Sequence, residues 1–171
     1  VERRVNLVKL LIGDYKLSAE QASGIVGNFM WESGGEHLPP DINQGGSPGP
    51  PAFSGGYGWA QWTGGRQRSL IDYAIEQGYM ASENEHANDA ANYSYLKKEL
   101  GDAYFKDVIP SIKNTSSPED AADSWEETFE RAGAPALSER ETRARQAFDE
   151  YSKNVTSGTV YGSGTGSSCG A

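Results

Sequence analysis

The chain of 171 residues is poor in sulfur, in histidine and in positive charge, and each shortage excludes something. One cysteine, Cys169, cannot form an intrachain disulfide, so stability has to come from a packed core. The two histidines, His37 and His86, lie far apart and share no ligand spacing with the acids, so neither a metal nor another cofactor is expected. Lys and Arg number 15 against 24 Asp and Glu, which leaves a net charge of −9 and a pI near 4.7. Nucleic acid and anionic membranes are held by a basic footprint that this balance does not supply. No stretch approaches the roughly 18 consecutive apolar residues of a membrane span. The opening Val1-Glu2-Arg3-Arg4 has none of the apolar run of a signal peptide, and we read the chain as a fragment whose targeting segment, if any, lies upstream. Ser33 lacks the context of a nucleophile elbow, and no Gly-rich phosphate loop ends in Lys-Ser/Thr.

What is present is enough apolar material for one domain, including 4 Trp, 9 Tyr and 5 Phe. Val1, Val5, Val8, Leu11 and Ile12 recur at helical spacing, so a first helix is expected to end near Gly13. Ser18 followed by Gln21 is a capping-box signature for a second helix, ended by Gly34-Gly35. From Gly34 to Gly58 the composition turns to Pro, Gly, Ser and Asn, which predicts a long loop or a small β-hairpin region. A helix around Leu70 to Ile75 stops at Gly78, and Ser82 with Glu85 predicts the start of another that runs to Gly101. Ser117-Pro118-Glu119-Asp120 is a strong helix start, and Ser138 with Glu141 opens the last helix. Residues 1–153 are therefore expected to form one mainly α-helical domain. Residues 154–171, rich in Gly, Ser and Thr, are expected to be a flexible linker towards a further domain.

The second helix carries the acid of most interest. With Ile25 at zero and about 100° per residue, Phe29 falls near 40° and Glu32 near −20°, so Glu32 borders the apolar face at the mouth of the loop. A carboxyl held against apolar surface retains its proton to higher pH, which is what a glycosidase general acid needs. Beyond the loop, Gly58 allows a close backbone approach. Tyr57, Trp59 and Trp62 offer rings for sugar stacking, and Gln61 offers both donors and acceptors. Ring stacking of this kind, together with Trp31, would let an acidic domain hold a polymer that carries its own carboxylates.

Gly24-Ile25-Val26-Gly27-Asn28 leading into Glu32-Ser33-Gly34, then Tyr57-Gly58-Trp59-Ala60-Gln61-Trp62-Thr63-Gly64-Gly65-Arg66, resemble the phage tail lysozyme family of the lysozyme-like superfamily. Trp125-Glu126-Glu127-Thr128-Phe129-Glu130-Arg131, with Arg140 and Arg143, resemble its C-terminal helical motif, and the resemblance covers roughly residues 1–152. It implies an α+β lysozyme-like fold, with the loop or hairpin forming one wall of a cleft. It also implies cleavage of the glycan strand of bacterial peptidoglycan outside the cell or at its envelope, by a secreted wall enzyme or a phage virion component. The family's catalytic acid falls on Glu32. The Glu36–Gly55 loop supplies no obvious second acid; Asp41 is the nearest in sequence, and Ser54 is a second contributor from this wall. Glu130, about 140° from Trp125 on a helix, is expected to be structural, either facing solvent or reaching across to an arginine such as Arg143, a pair that would brace the cleft floor. Three functions remain open: a muramidase, a lytic transglycosylase that leaves anhydro ends, and a non-catalytic wall-binding or virion structural module.

Overall fold

The computed structural model describes residues 1–161, with the backbone alone for 158–161; Cys169 lies outside the described residues. Among the described residues, seven α-helices carry the fold: α1 (Glu2–Tyr15), α2 (Ala19–Glu32), α3 (Gly64–Glu76), α4 (Asp89–Leu100), α5 (Val108–Lys113), α6 (Pro118–Trp125) and α7 (Leu137–Tyr161). Between α2 and α3 lies a two-stranded antiparallel hairpin, β1 (Ile42–Asn43) and β2 (Ser47–Pro48), with Ile42 opposite Pro48 and Asn43 opposite Ser47. A 3-10 turn (Ala103–Phe105) follows α4, and a π-helical turn (Glu126–Glu130) continues α6. The α+β lysozyme-like arrangement expected from the resemblance is the one observed, mainly helical with one small hairpin.

The central element is α2. Every residue from Ala22 to Met30 is buried, including Ser23 and Asn28, with α1, α6 and α7 packed against α2 and Trp59 covering Phe29. Its start follows from the sequence: the Ser18 side chain accepts from the Gln21 backbone N–H, and the Gln21 side chain accepts from the Ser18 N–H. Gly24 and Gly27 mark the two closest approaches. A Cβ on Gly24 would lie 2.7 Å from the Ala121 carbonyl carbon of α6, and one on Gly27 would strike the backbone of Ala144 on α7. Both glycines give up helix propensity, about 1 kcal/mol each, to let two helices seat backbone-close against a third.

The start of α6 is also as expected, with the Ser117 side chain accepting from the Asp120 N–H and Pro118 at the first turn. Several boundaries differ: α7 begins at Leu137, so Ser138 lies inside its first turn and does not cap it. Ser82 and Glu85 do not open α4: Ser82 Oγ accepts from the Asn84 N–H inside a turn, and the helix starts seven residues later with Asn88 as its cap, accepting from the Ala91 N–H. Asn is as good an N-cap as Ser, and the helix that it opens buries Ala91 and Leu96. At the other end α7 continues to Tyr161, through the first eight residues of the stretch expected as linker. Asn154, Thr156 and Ser157 bond back to carbonyls four residues earlier, so polar composition there did not stop the helix.

The glycines of the first two helices give opposite predictions. Gly13 continues α1 rather than ending it, is exposed, and has nothing within 4 Å of an added Cβ. Gly13→Ala is expected to stabilise the fold by about 0.5–1 kcal/mol through helix propensity. Gly27→Ala should cost about 1–3 kcal/mol through overpacking. Denaturant unfolding of the two variants beside the parent checks both signs.

Candidate active site

Glu32 is the last residue of α2, at the negative end of the helix dipole, where a carboxylate needs a compensating charge. Arg140 of α7 supplies it, with Nη2 donating to Glu32 Oε1 at 2.6 Å. The same guanidinium donates through Nη1 to Asn28 Oδ1 at 2.8 Å and through Nε to the Pro135 carbonyl at 2.6 Å, and Arg140 is only 1% exposed. Asn28 in turn donates to the carbonyls of Gly24 and Ala122, which links α2, α6 and α7 in one buried network. The Glu32 side chain keeps 20% of its surface, so it can be reached from solvent. Its carboxyl meets a guanidinium, not the apolar surroundings expected from the helical wheel; Phe29 faces the core, against Trp59 and Trp125.

The second carboxyl of the region is Glu130. The π-helical turn inserts an extra residue into the end of α6, and Arg131 closes it in the left-handed conformation at φ 50°. This leaves Glu130 half-buried, its Oε1 accepting from Trp125 Nε1 at 3.1 Å. Desolvation raises its pKa from the ordinary value to about 8, and the charge of Glu32 pushes the same way; the Trp125 bond and the fields of Arg140 and Arg66 oppose the rise. The pairing expected with Arg143 is not formed. Arg143 reaches Glu36 and Gln146 instead, because the turn directs Glu130 towards Trp125 and not across to the exposed side of α7.

Glu130 borders a cavity of about 540 Å³ shared with Arg66, Tyr95, Lys98, Tyr104 and Arg131. Arg66 lies over the rings of Phe105 and Phe129, 5.3 and 5.0 Å from their centroids, and makes a bidentate pair with Glu99 at 2.8 Å for both bonds. Glu99, buried on α4, also accepts from Trp62 Nε1 at 2.8 Å. Tyr104, largely exposed, and Arg131 stand at the rim, with Arg131 Nη1 donating to the Tyr104 hydroxyl.

The residues expected to bind sugar have another task. Tyr57, Trp59 and Trp62 are buried: the Tyr57 hydroxyl donates to the Gly49 carbonyl and accepts from the Ala87 N–H, Trp59 Nε1 donates to the Leu38 carbonyl, and Trp62 Nε1 is held by Glu99. Rings so enclosed cannot stack on a ligand. Gln61 is the left-handed corner of the Tyr57–Trp62 turn, and its Nε2 is used by the carbonyls of Ile42 and Gly58. Trp31, in contrast, is 39% exposed one residue before Glu32. Asp41 lies elsewhere, with Oδ2 2.7 Å from His86 Nδ1, in the wall of a separate cavity of about 580 Å³ bordered by Arg3, Pro40 and Asn88. Ser54 is exposed on the loop beyond β2. The charge of Glu32 acts on Glu130, whereas Asp41 is committed to His86. Among the described residues no cluster of three His, Cys, Asp or Glu side chains could hold a metal ion, and no helix is long and apolar enough to cross a membrane.

The sequence profile of the phage tail lysozyme family matches residues 2–151, nearly the whole described chain. The chain belongs to the phage tail lysozyme family. Membership supports a lysozyme-like activity directed at peptidoglycan. No curated protein matches the chain.

The raised pKa of Glu130 has a signature in this family member's stability. Between its ordinary 4.5 and about 8 the folded state holds a proton that the unfolded state releases. The Glu130 contribution is therefore complete below about 4.5 and is lost as pH rises through about 8. Glu130→Gln removes the titration while leaving an acceptor for Trp125. Its stability relative to the parent should rise steadily across that window and level off above it, as measured by thermal melts at a series of pH values.

Proposed function

We propose that the chain is a muramidase that hydrolyses the glycosidic bond between N-acetylmuramic acid and N-acetylglucosamine in bacterial peptidoglycan, outside the cell or at its envelope, with Glu32 as the essential carboxyl. The observation that carries this is the setting of Glu32. It ends the most buried helix of the fold, is clamped at one oxygen by the buried Arg140, and keeps a fifth of its side-chain surface open to solvent. A surface glutamate with no catalytic task needs no buried guanidinium, and leaving such an arginine unpaired would cost several kcal/mol. Clamping by Arg140 limits the carboxyl to few orientations, which favours reaction from a bound geometry. An acidic domain has no bulk attraction for a polymer with its own carboxylates. Binding then relies on sugar hydroxyls, N-acetyl groups and ring faces, for which exposed Trp31 and Tyr104 are the available aromatic surfaces.

Glu32→Gln keeps shape and hydrogen-bonding capacity at Arg140 but has no carboxyl. The variant is expected to fold, to sediment with wall fragments, and to clear a wall suspension at least about 100-fold more slowly than the parent. Mass analysis of the parent's products should show reducing muramic acid ends. Products carrying 1,6-anhydro ends would replace hydrolysis by transglycosylation, and a parent that binds walls without clearing them would replace both by a binding module.

A further inference from the structure

We propose that the cavity of about 540 Å³ bordered by Arg131 is a subsite for the peptide stem of peptidoglycan, where Arg131, Lys98 and Arg66 hold a stem carboxylate. The proposal rests on the glycan-cleaving function given above and names a further part of that substrate. Arg131 is the residue that carries it. Seven of the eight arginines pair with a carboxylate, and among the described residues Arg131 alone does not, in a chain of net charge −9. Its fork is nevertheless held in place. Nε donates to the Thr128 carbonyl and Nη1 to the Tyr104 hydroxyl, and the guanidinium lies 5.1 Å from the centroid of the Tyr104 ring. Nη2 has no partner among the described residues, which leaves that edge to a ligand. The backbone at Arg131 is left-handed, φ 50°, a region disfavoured for an L side chain. Bonds from the Arg131 and Ala132 N–H groups to the Glu126 carbonyl and carboxylate hold it there. A solvated surface arginine needs neither the strain nor the brace.

Two more cations border the same cavity. Arg66 is bound to Glu99 through Nε and Nη2, keeps Nη1 without a partner among the described residues, and has a side chain 38% exposed. Lys98, exposed on α4, has no carboxylate partner among the described residues, and its Nζ lies 5.8 Å from the ring centroids of both Tyr73 and Tyr95. Against them stand two charged acids: Glu99, already shared between Arg66 and Trp62, and the exposed Asp102. Glu130, whose burial raises its pKa to about 8, adds no repelling charge in neutral solution. The cavity therefore holds a positive excess within an acidic molecule, a setting for an anion more than for a neutral sugar. The planar fork of an arginine suits a carboxylate, and Tyr104, 69% exposed, offers a ring face to the peptide that bears it. The muramic acid of the glycan carries such a peptide, a short stem with free carboxylates. Glu32 lines no part of the cavity, nor does it need to. Each stem residue spans up to about 3.5 Å, so a carboxylate further along the stem sits well off the path of the glycan strand.

The first test titrates the full chain by calorimetry with N-acetylmuramoyl-L-alanyl-D-glutamate and with its uncharged diamide. The acid is expected to bind at least about tenfold more tightly than the diamide, the lower end for a charge-assisted bond. Arg131→Gln should remove most of that difference, and Arg131→Lys should keep part of it. The second test uses walls freed of phosphodiesters, so that stem carboxylates are the anions compared. The parent should show a lower KM on these strands than on strands whose stem carboxylates have been converted to amides. Arg131→Gln should narrow that gap, and so should Lys98→Gln, which leaves the π-helical turn untouched. Equal binding of acid and diamide to the parent would overturn the proposal, and that comparison needs no variant to fold. A folded Arg131→Gln protein with the parent's full preference for the acid would overturn it too. A parent that cuts native and amidated strands with the same KM would remove the subsite and leave the muramidase reading standing. A parent that cuts neither would remove the muramidase reading, and the binding comparison would still decide the carboxylate site.

Discussion

The Arg140 guanidinium is the interaction on which the other parts depend. It is buried where α2, α6 and α7 come closest, the approach that Gly24 and Gly27 permit, and it reaches Asn28, Glu32 and the Pro135 carbonyl at once. Asn28 carries the link to the Ala122 carbonyl of α6. A buried arginine is tolerable only with its donors satisfied, so the packing of three helices and the posture of Glu32 are set by the same guanidinium. Glycine at the contacts and arginine at the centre are two halves of one arrangement: a longer distance between α2 and α7 would put Asn28 and Glu32 out of reach of the guanidinium together.

From that centre a chain of ionisable groups runs outward. Arg140 meets Glu32, Glu32 acts on Glu130, Glu130 lies in the field of Arg66, and Arg66 is closed off by Glu99. Aromatic rings fill the spaces between, with Phe29 edge-on to Trp125 at 5.6 Å, Trp125 stacked on Phe129 at 4.3 Å, and Phe129 against Phe105 at 4.9 Å. Such rings exclude water from the carboxyls while their edges and faces tolerate charge, which is how Glu130 comes to hold a proton near neutrality without being sealed from the cleft. The π-helical turn is essential to this placement. On a regular continuation of α6, Glu130 would sit about 140° from Trp125 and could not accept from its Nε1.

Much of the fold was legible in the sequence because its signals are local. Ser18 with Gln21 and Ser117 with Pro118 act within one turn of backbone, and both helices start where those residues put them. The place of Glu32 at the end of a buried helix was legible too, from the Gly34-Gly35 that follows it. What was hidden depends on partners distant in sequence. Glu99 and Asn92 sit on α4 with nothing local to distinguish them from a solvated face, yet Glu99 binds Trp62 and Arg66. Asn92 accepts from the Trp59 N–H and donates to the Pro40 carbonyl, pinning the long loop. A helical face of small and polar residues such as Asn88, Ala91, Asn92 and Glu99 could have raised the question, since polar residues on a small-residue face have to be satisfied by something.

The aromatic segment Tyr57–Trp62 shows why residue type alone misleads about a site. Its rings each carry one polar atom, and a ring with a polar tip suits either a wet ligand groove or a dry core that offers one acceptor. The core offers those acceptors here, at the carbonyls of Gly49 and Leu38 and the carboxylate of Glu99. Once Glu99 is spent on Trp62 and Arg66, Arg66 is fixed over Phe105 and Phe129, and its charge is fixed beside Glu130. The segment that looked like a binding surface therefore acts on the site from behind. It holds the arginine whose field, with that of Arg140, limits how far the Glu130 proton is retained, so the motif and the carboxyl pair are coupled through Glu99 without any ring of the motif facing the cleft.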